Sequence, residues 1–228
     1  MQSIIKTVFI YLALTLASPL AAQDFNAGNE AYQRGDYALA LREIRPLAEQ
    51  GLAKAQTLLG FMYEEGRGVQ QDDFEALNWY NLAAEQGVAA AQFRLGYIYG
   101  TGWSMPTDYA AALKWWRAAA EQGYAMAQSN LGLMYKLGNG VPADYGEAVK
   151  WYRMAAEQGD AFGQSLLGDM YRFGKGVPED YVLAHMWLNL AASQGDKAAA
   201  LNRRLVAQVM TREQIAKAEE LADEWKPE

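Results

Sequence analysis

The chain contains no cysteine and a single histidine, His185. The first absence excludes disulfides, thiolate nucleophiles, zinc–cysteine sites and lipid attachment through a thiol. The second leaves almost no material for a Ser-His-Asp triad or a histidine-rich metal centre. Basic residues are also in deficit: 20 lysines and arginines face 27 acids, giving a formal net charge of −7. Nucleic acid and anionic membrane surfaces select for basic faces, so neither fits as the main partner. Prolines number only 6, and no uninterrupted apolar run reaches the ~20 residues that cross a bilayer. At 51% hydrophobic and 21% charged, the 228 residues are too apolar for wholesale disorder.

The first segment reads as an address. Residues 1–22, MQSIIKTVFIYLALTLASPLAA, place Lys6 ahead of an uncharged run from Thr7 to Ala17 and end in small residues. This is the layout of a secretory signal peptide, with cleavage expected after Ala22 although Leu20 is a poorer fit than Ala or Val at its position. An uncleaved N-terminal anchor is the alternative. Export to a bacterial periplasm suits a chain with no cysteine to oxidise.

The rest is organised by a 36-residue step. Glu-Gln-Gly ends at Gly51, Gly87, Gly123 and Gly159, and Ser-Gln-Gly ends at Gly195. Gln56, Gln92, Gln128 and Gln164 keep the same step, as do Gly60, Gly96, Gly132 and Gly168. So do Tyr63, Tyr99, Tyr135 and Tyr171, and Trp79, Trp115, Trp151 and Trp187. So many columns in phase predict an array of stacked supersecondary units.

Each unit reads as two helices. In residues 125–138 the apolar or small positions 127, 131, 134 and 135 have helical spacing, and Gly138 stands where a left-handed stop is needed. Asp144 with Glu147, and Asp72 with Glu75, predict capping boxes opening the second helix. Ala148, Val149, Trp151, Tyr152, Ala155 and Ala156 form its inner face. The glycine and alanine columns allow close approach, and the aromatics fill the space between units. One helix pair cannot bury both of its faces, so stacking is compulsory.

The expected divisions are a signal peptide at 1–22, a shortened helical unit at 23–51, four units at 52–87, 88–123, 124–159 and 160–195, and capping helices at 196–228. In the last segment Thr211 and Gln214 predict a capping box, and charges such as Arg212, Glu213, Lys217 and Glu220 suit a solvated outer face. An external docking helix is the alternative there.

The pattern Ala-x-Ala-Gln-x-x-Leu-Gly-x-Met-Tyr-x-x-Gly-x-Gly-Val, followed by Asp-Tyr-x-x-Ala-x-x-Trp-Tyr-x-x-Ala-Ala-Glu-Gln-Gly, closely resembles the Sel1-like repeat family. The third unit matches it almost throughout; the second departs at Trp103, Ser104 and Met105, and the first has Asp73 in place of Tyr. The resemblance implies an all-α superhelical solenoid related to tetratricopeptide arrays. It also implies an adaptor for protein complexes, exported bacterial members including envelope scaffolds, exopolysaccharide regulators and host-interaction factors.

In such arrays the first helix of each unit lines the inner curve, and columns that vary there carry specificity. Phe61, Tyr97 and Leu133 would form an apolar strip, joined by Phe93, Asn130 and Asp169. Arg94, Lys136 and Arg172 would supply donors on an acidic protein. Apolar anchors with a few charged neighbours suit an extended protein segment. The competing reading is that part of this strip packs against the adjacent unit.

Enzyme chemistry finds little support. One subgroup of the family is linked to β-lactam or peptidoglycan binding, but it carries a cysteine pair per repeat. A Ser-x-x-Lys pattern occurs only at Ser3 to Lys6, and Gly163 to Leu167 lacks the second glycine of a nucleophile elbow. His185 occupies an inner column shared with Leu77, Leu113 and Val149, which predicts a structural, hydrogen-bonded histidine. Glu64, Glu65, Asp72 and Asp73 cluster around one turn without calcium-loop spacing. The reading is a non-catalytic scaffold of the cell envelope, without cofactor or metal, bound to another envelope protein such as a membrane sensor or assembly complex. The alternatives are a peptidoglycan or glycan ligand module resting on Trp103 and Tyr97, with weak hydrolysis, and a homo-oligomer.

Overall fold

The computed structural model describes residues 19–103 and 106–227. Most of the expected signal peptide therefore lies outside the described residues, as do Ser104 and Met105 of the second unit's turn. Twelve helices and no strands are found among the described residues. A first pair, α1 (Pro19–Gln33) and α2 (Tyr37–Glu49), precedes four longer-linked pairs. These are α3 (Ala53–Glu65) with α4 (Asp73–Glu85), α5 (Ala89–Thr101) with α6 (Tyr109–Glu121), α7 (Ala125–Leu137) with α8 (Tyr145–Glu157), and α9 (Ala161–Phe173) with α10 (Tyr181–Ser193). Two further helices, α11 (Lys197–Ala207) and α12 (Arg212–Glu224), close the chain. The odd-numbered helix of each pair is its A helix and the even-numbered one its B helix. Units one to four are the four longer-linked pairs.

Local signals set these boundaries. Gly138 ends α7 in the left-handed region at φ 75°, where its N–H reaches back to the Met134 carbonyl. Each B helix of units one to four opens on an aspartate, Asp72, Asp108, Asp144 or Asp180, whose carboxylate accepts from first-turn N–H groups. The expected boxes at Asp72–Glu75 and Asp144–Glu147 are only half made, and Glu147 pairs with Lys150 instead. The Thr211–Gln214 box at α12 is complete, with both reciprocal bonds present.

Within each pair the A and B helices meet at the glycine column. A Cβ on Gly60 would lie 2.6 Å from the Tyr80 ring, and one on Gly132 would lie 2.7 Å from the Tyr152 ring. Trp116 and Leu188 occupy the matching positions opposite Gly96 and Gly168. These side chains are buried, whereas the adjacent column of Trp79, Trp115 and Trp151 is half-buried and packs back against the core of the preceding unit. A fully buried ring withdraws roughly 150–250 Å² from water, worth about 4–6 kcal/mol gross.

Between pairs, buried glutamines do the joining. The Gln92 amide donates to the Ala84 carbonyl at the end of α4 (3.1 Å), while its oxygen accepts from Gln122 (2.7 Å). Gln56, Gln128 and Gln164 repeat both bonds, with Gln86, Gln158 and Gln194 as their donors. Each carboxamide thus ties its own unit to a last-turn carbonyl of the previous B helix, which also accepts the N–H of the following glycine. A second set of ties runs from Arg45 to Tyr63, Arg117 to Tyr135 and Arg153 to Tyr171 (2.8–3.1 Å).

Successive A helices touch at α1/α3, α5/α7, α7/α9 and α9/α11, while among the five helix pairs from α1 to α10 no two successive B helices meet to the same extent. The row therefore bends toward its A side, giving a superhelix with A helices on the inner curve.

The closing segment departs from expectation. The last helix does not cover the end of the row; it folds back over α10, burying Ala218 and Ala222 beside Val149, Tyr152 and Trp187. Trp225 stands edge-to-face on Trp187 (6.1 Å, 71°) and reaches Gly159. The cause lies in α11, where Arg203 and Arg204 replace the Leu167 and Gly168 of the previous A helix. No B helix can press against an arginine in the glycine column, and the short link 208–211 carries α12 to the outer side instead.

Candidate functional site

The inner curve carries the variable columns, and the structure divides them into two tied ends and an open middle. At the first end, Arg94 donates to Glu64 (3.0 Å) and lies over the Phe61 ring (4.7 Å). Tyr80, edge-to-face with Phe61 (5.5 Å), gives its hydroxyl to the same Glu64 carboxylate. Burial pushes the Tyr80 phenol far above its ordinary range, and the Glu64 charge reinforces that, so it acts as a donor only. Phe61 and Arg94 are thereby committed to the junction of units one and two.

At the other end, Asp169 accepts from Asn202 of α11 (3.0 Å), whose oxygen faces Arg172 (3.4 Å). Burial raises the Asp169 carboxyl, and Lys136 and Arg172 pull it back down. Arg172 also lies over Phe173 (4.8 Å). Asn130 turns its amide onto its own helix, at the Met126 carbonyl (2.7 Å).

Phe93 requires a correction. It is only 8% exposed and stacks on Tyr124 of the next unit (5.2 Å), within a core that includes Trp116 and Leu131. Its column faces the following unit rather than the solvent, so it packs a junction and lines no groove.

Between the ends stand Tyr97, 42% exposed, Leu133 and Lys136, both half-buried. Lys136 holds its charge near Asp169. Exposed Leu137 and Phe173 flank this stretch, and sequence reasoning passed over them although their column, shared with Glu65 and Thr101, varies just as widely.

The remaining candidates resolve into structural parts. Trp103 is half-buried against the core of Ala76, Tyr80, Leu95 and Ile98. The acids of the first turn scatter: Glu64 goes to the inner curve, Glu65 accepts from Tyr32 (2.7 Å) and pairs with Arg67, and Asp72 caps α4. No cluster able to hold a metal ion occurs among the described residues. His185 is buried, as expected of a structural residue, but its Nδ1 has no hydrogen-bond partner. Burial lowers its pKa, as does the charge of Arg203. A shallow open depression of about 560 Å³ between α2 and the first long turn is lined by Leu41, Arg45, Tyr63 and Glu75, among others, and Arg45 is already engaged there with Tyr63.

The helix pairs coincide with known sequence repeats. The family model of the Sel1 repeat matches residues 53–88, 89–124, 125–160 and 161–196, more than half of the chain. The chain belongs to the Sel1 repeat family. A Sel1 repeat protein from Oxalobacter formigenes is similar in structure at a TM-score of 0.77, with 34% identity over 91% of this chain and 86% of its own. Another neighbour is c5321, a protective antigen of uropathogenic Escherichia coli with an SLR fold, at a TM-score of 0.82 and 34% identity. The match covers 90% of this chain but 45% of that longer protein. An exopolysaccharide production negative regulator of Rhizobium leguminosarum bv. viciae is 35% identical over 32% of this chain and 32% of its own length. The chain thus spans under half of c5321 and about a third of that regulator.

Sel1 repeats generally serve protein–protein interaction and are generally non-catalytic. The Gln and Gly columns of this chain are spent on joining helices. No helix of the described residues is long and apolar enough to cross a membrane.

Proposed function

We propose that this Sel1 repeat chain is an exported, non-catalytic adaptor of the bacterial periplasm that holds an extended segment of another envelope protein on its inner curve. The observation carrying this reading is the open middle: Tyr97 stands exposed, with Leu133 beside it, between two stretches whose side chains are already paired. Tyr97 and Leu133 supply apolar anchors, and Lys136 supplies a cation for a carboxylate or carbonyl on the segment. The leader-like residues 1–22 support export, and the resemblance to an exopolysaccharide regulator supports a role in holding an envelope component in one state.

The test combines location with capture. A tagged chain should fractionate with the periplasm in processed form. Crosslinking in the native envelope, followed by mass spectrometry, should recover one dominant partner with the wild type and lose it with Tyr97→Asp/Leu133→Asp, whose helical circular dichroism stays unchanged. Recovery of the same partner by that variant removes the inner curve as the binding surface.

A further inference from the structure

The A-helix row ends on a face that none of the described residues covers. In units one to four, one A-helix column, Thr57, Phe93, Ser129 and Ser165, is buried because the following unit stands on it. In α11 the same column is Leu201, which is 50% exposed. Leu205 (38%) follows one turn later, exposed Val209 (63%) stands in the link just past the helix end, and Ala198 precedes them. Spacings of three, four and four residues make a narrow apolar seam, the form in which one helix meets another.

Two observations identify the occupant. The seam continues an established interface, since α1, α5, α7 and α9 each meet the following A helix, so a helix suits it. The opposite end of the molecule differs: its described helices carry exposed charges, Glu30 paired with Arg34 (3.7 Å) and Arg42 beside Glu43. Head-to-tail stacking would desolvate those charges against leucine, a costly exchange. The complementary helical seam present at this end is α11 itself, and a self-complementary patch closes as a two-fold pair.

We infer that two copies of this chain associate through α11, antiparallel about an axis near Leu205, so that Leu201 of one copy lies toward Val209 of the other. One short helix per copy buries less than the ~1,200 Å² of a standard interface, so the dimer is weak and forms with rising concentration. The contact sits at the end of the row and leaves Tyr97 and Leu133 open. The pair therefore presents two inner curves, and a partner with two target segments would gain by avidity. None of this depends on what the inner curve binds.

Sedimentation velocity on the chain, expressed from its full sequence, should show a monomer–dimer equilibrium from low to high micromolar loading. Leu205→Asp should be monomeric throughout, with unchanged circular dichroism. Because the chain has no cysteine, Leu205→Cys should form a disulfide-linked dimer under mild oxidation, whereas Ala38→Cys at the charged end should not. A wild type that stays monomeric overturns the proposal. So does a dimer that survives Leu205→Asp, that forms without crosslinking through Leu205→Cys, or that dissolves instead with Tyr97→Asp.

Discussion

Gly132→Ala sets two opposing effects against each other, and the structure decides the sign. Gly132 lies inside α7, where alanine is favoured over glycine by about 1 kcal/mol on helix propensity alone. The added Cβ would stand 2.7 Å from two carbons of the Tyr152 ring and 3.1 Å from the Ala148 carbonyl oxygen. Tyr152 is fully buried and cannot swing away, so ring or helix must shift by several tenths of an ångström. Overpacking of this kind costs roughly 1–3 kcal/mol, or more where backbone resists. The backbone oxygen on the second side puts this site at the upper end, leaving a net loss of about 1–2 kcal/mol after the propensity gain. At roughly 2–4 °C per kcal/mol for a chain of this size, the thermal midpoint should fall by about 2–8 °C in differential scanning calorimetry. Two controls sharpen the result. Gly146→Ala, in a column that already accepts Phe74, Ala110 and Val182, should leave the midpoint unchanged or raise it. In a Tyr152→Ala background the same Gly132→Ala change should stabilise, because the methyl then fills space the ring vacated. A Gly132→Ala variant that is more stable than wild type would refute the claim that close A–B approach fixes this column.

Three shorter predictions follow from the junctions, the histidine and the last helix. Gln128→Leu keeps the side-chain volume but breaks the bonds to Ala120 and Gln158, and should cost about 1–2 kcal/mol. Hydrogen exchange should quicken at the α6–α7 junction; unchanged protection would show that the glutamine joint contributes nothing. The buried His185 titrates below its unfolded value near 6.5, so the folded state takes up its proton later than the unfolded state. Its contribution is complete above pH 6.5 and is lost as pH falls through the lowered folded value. The midpoint should therefore drop on acidification from about pH 7, and His185→Leu should flatten that window; a parallel pH profile in the variant would exclude the histidine as the cause. Thr211→Ala removes the cap of α12 and should cost that helix about 1 kcal/mol, read as faster amide exchange confined to residues 212–224.

Local signals made most of the fold legible. Left-handed glycines such as Gly138, the aspartates opening each B helix and the 36-residue step depend on neighbours close in sequence. The glutamine columns were equally visible, but their partners lie 8 and 30 residues away, and periodicity names no partner. Periodicity also could not separate adjacent positions at the limits of a helical stripe. It therefore left open whether Phe93 or Tyr97 turns outward, and which of Trp79 and Tyr80 is fully enclosed. Phe93 failed as a groove residue because the next unit's Tyr124 claims its face. Phe61 and Arg94 look free in a column-by-column reading because the ties to Tyr80 and Glu64 cross between helices. The turn-back of α12 did leave a trace: arginines at 203 and 204 break the Leu-Gly pair kept through four units. That trace requires knowing what the glycine touches, which the sequence does not state.

The glutamine joint uses the same two bonds at the entry to each of the four units and asks nothing of the variable residues beside it. A gene encoding such a chain can therefore gain or lose one whole period of coding sequence and still produce matching seams. Reach along the row and choice of contact residues can then evolve separately, like the length of a ruler and the marks engraved on it.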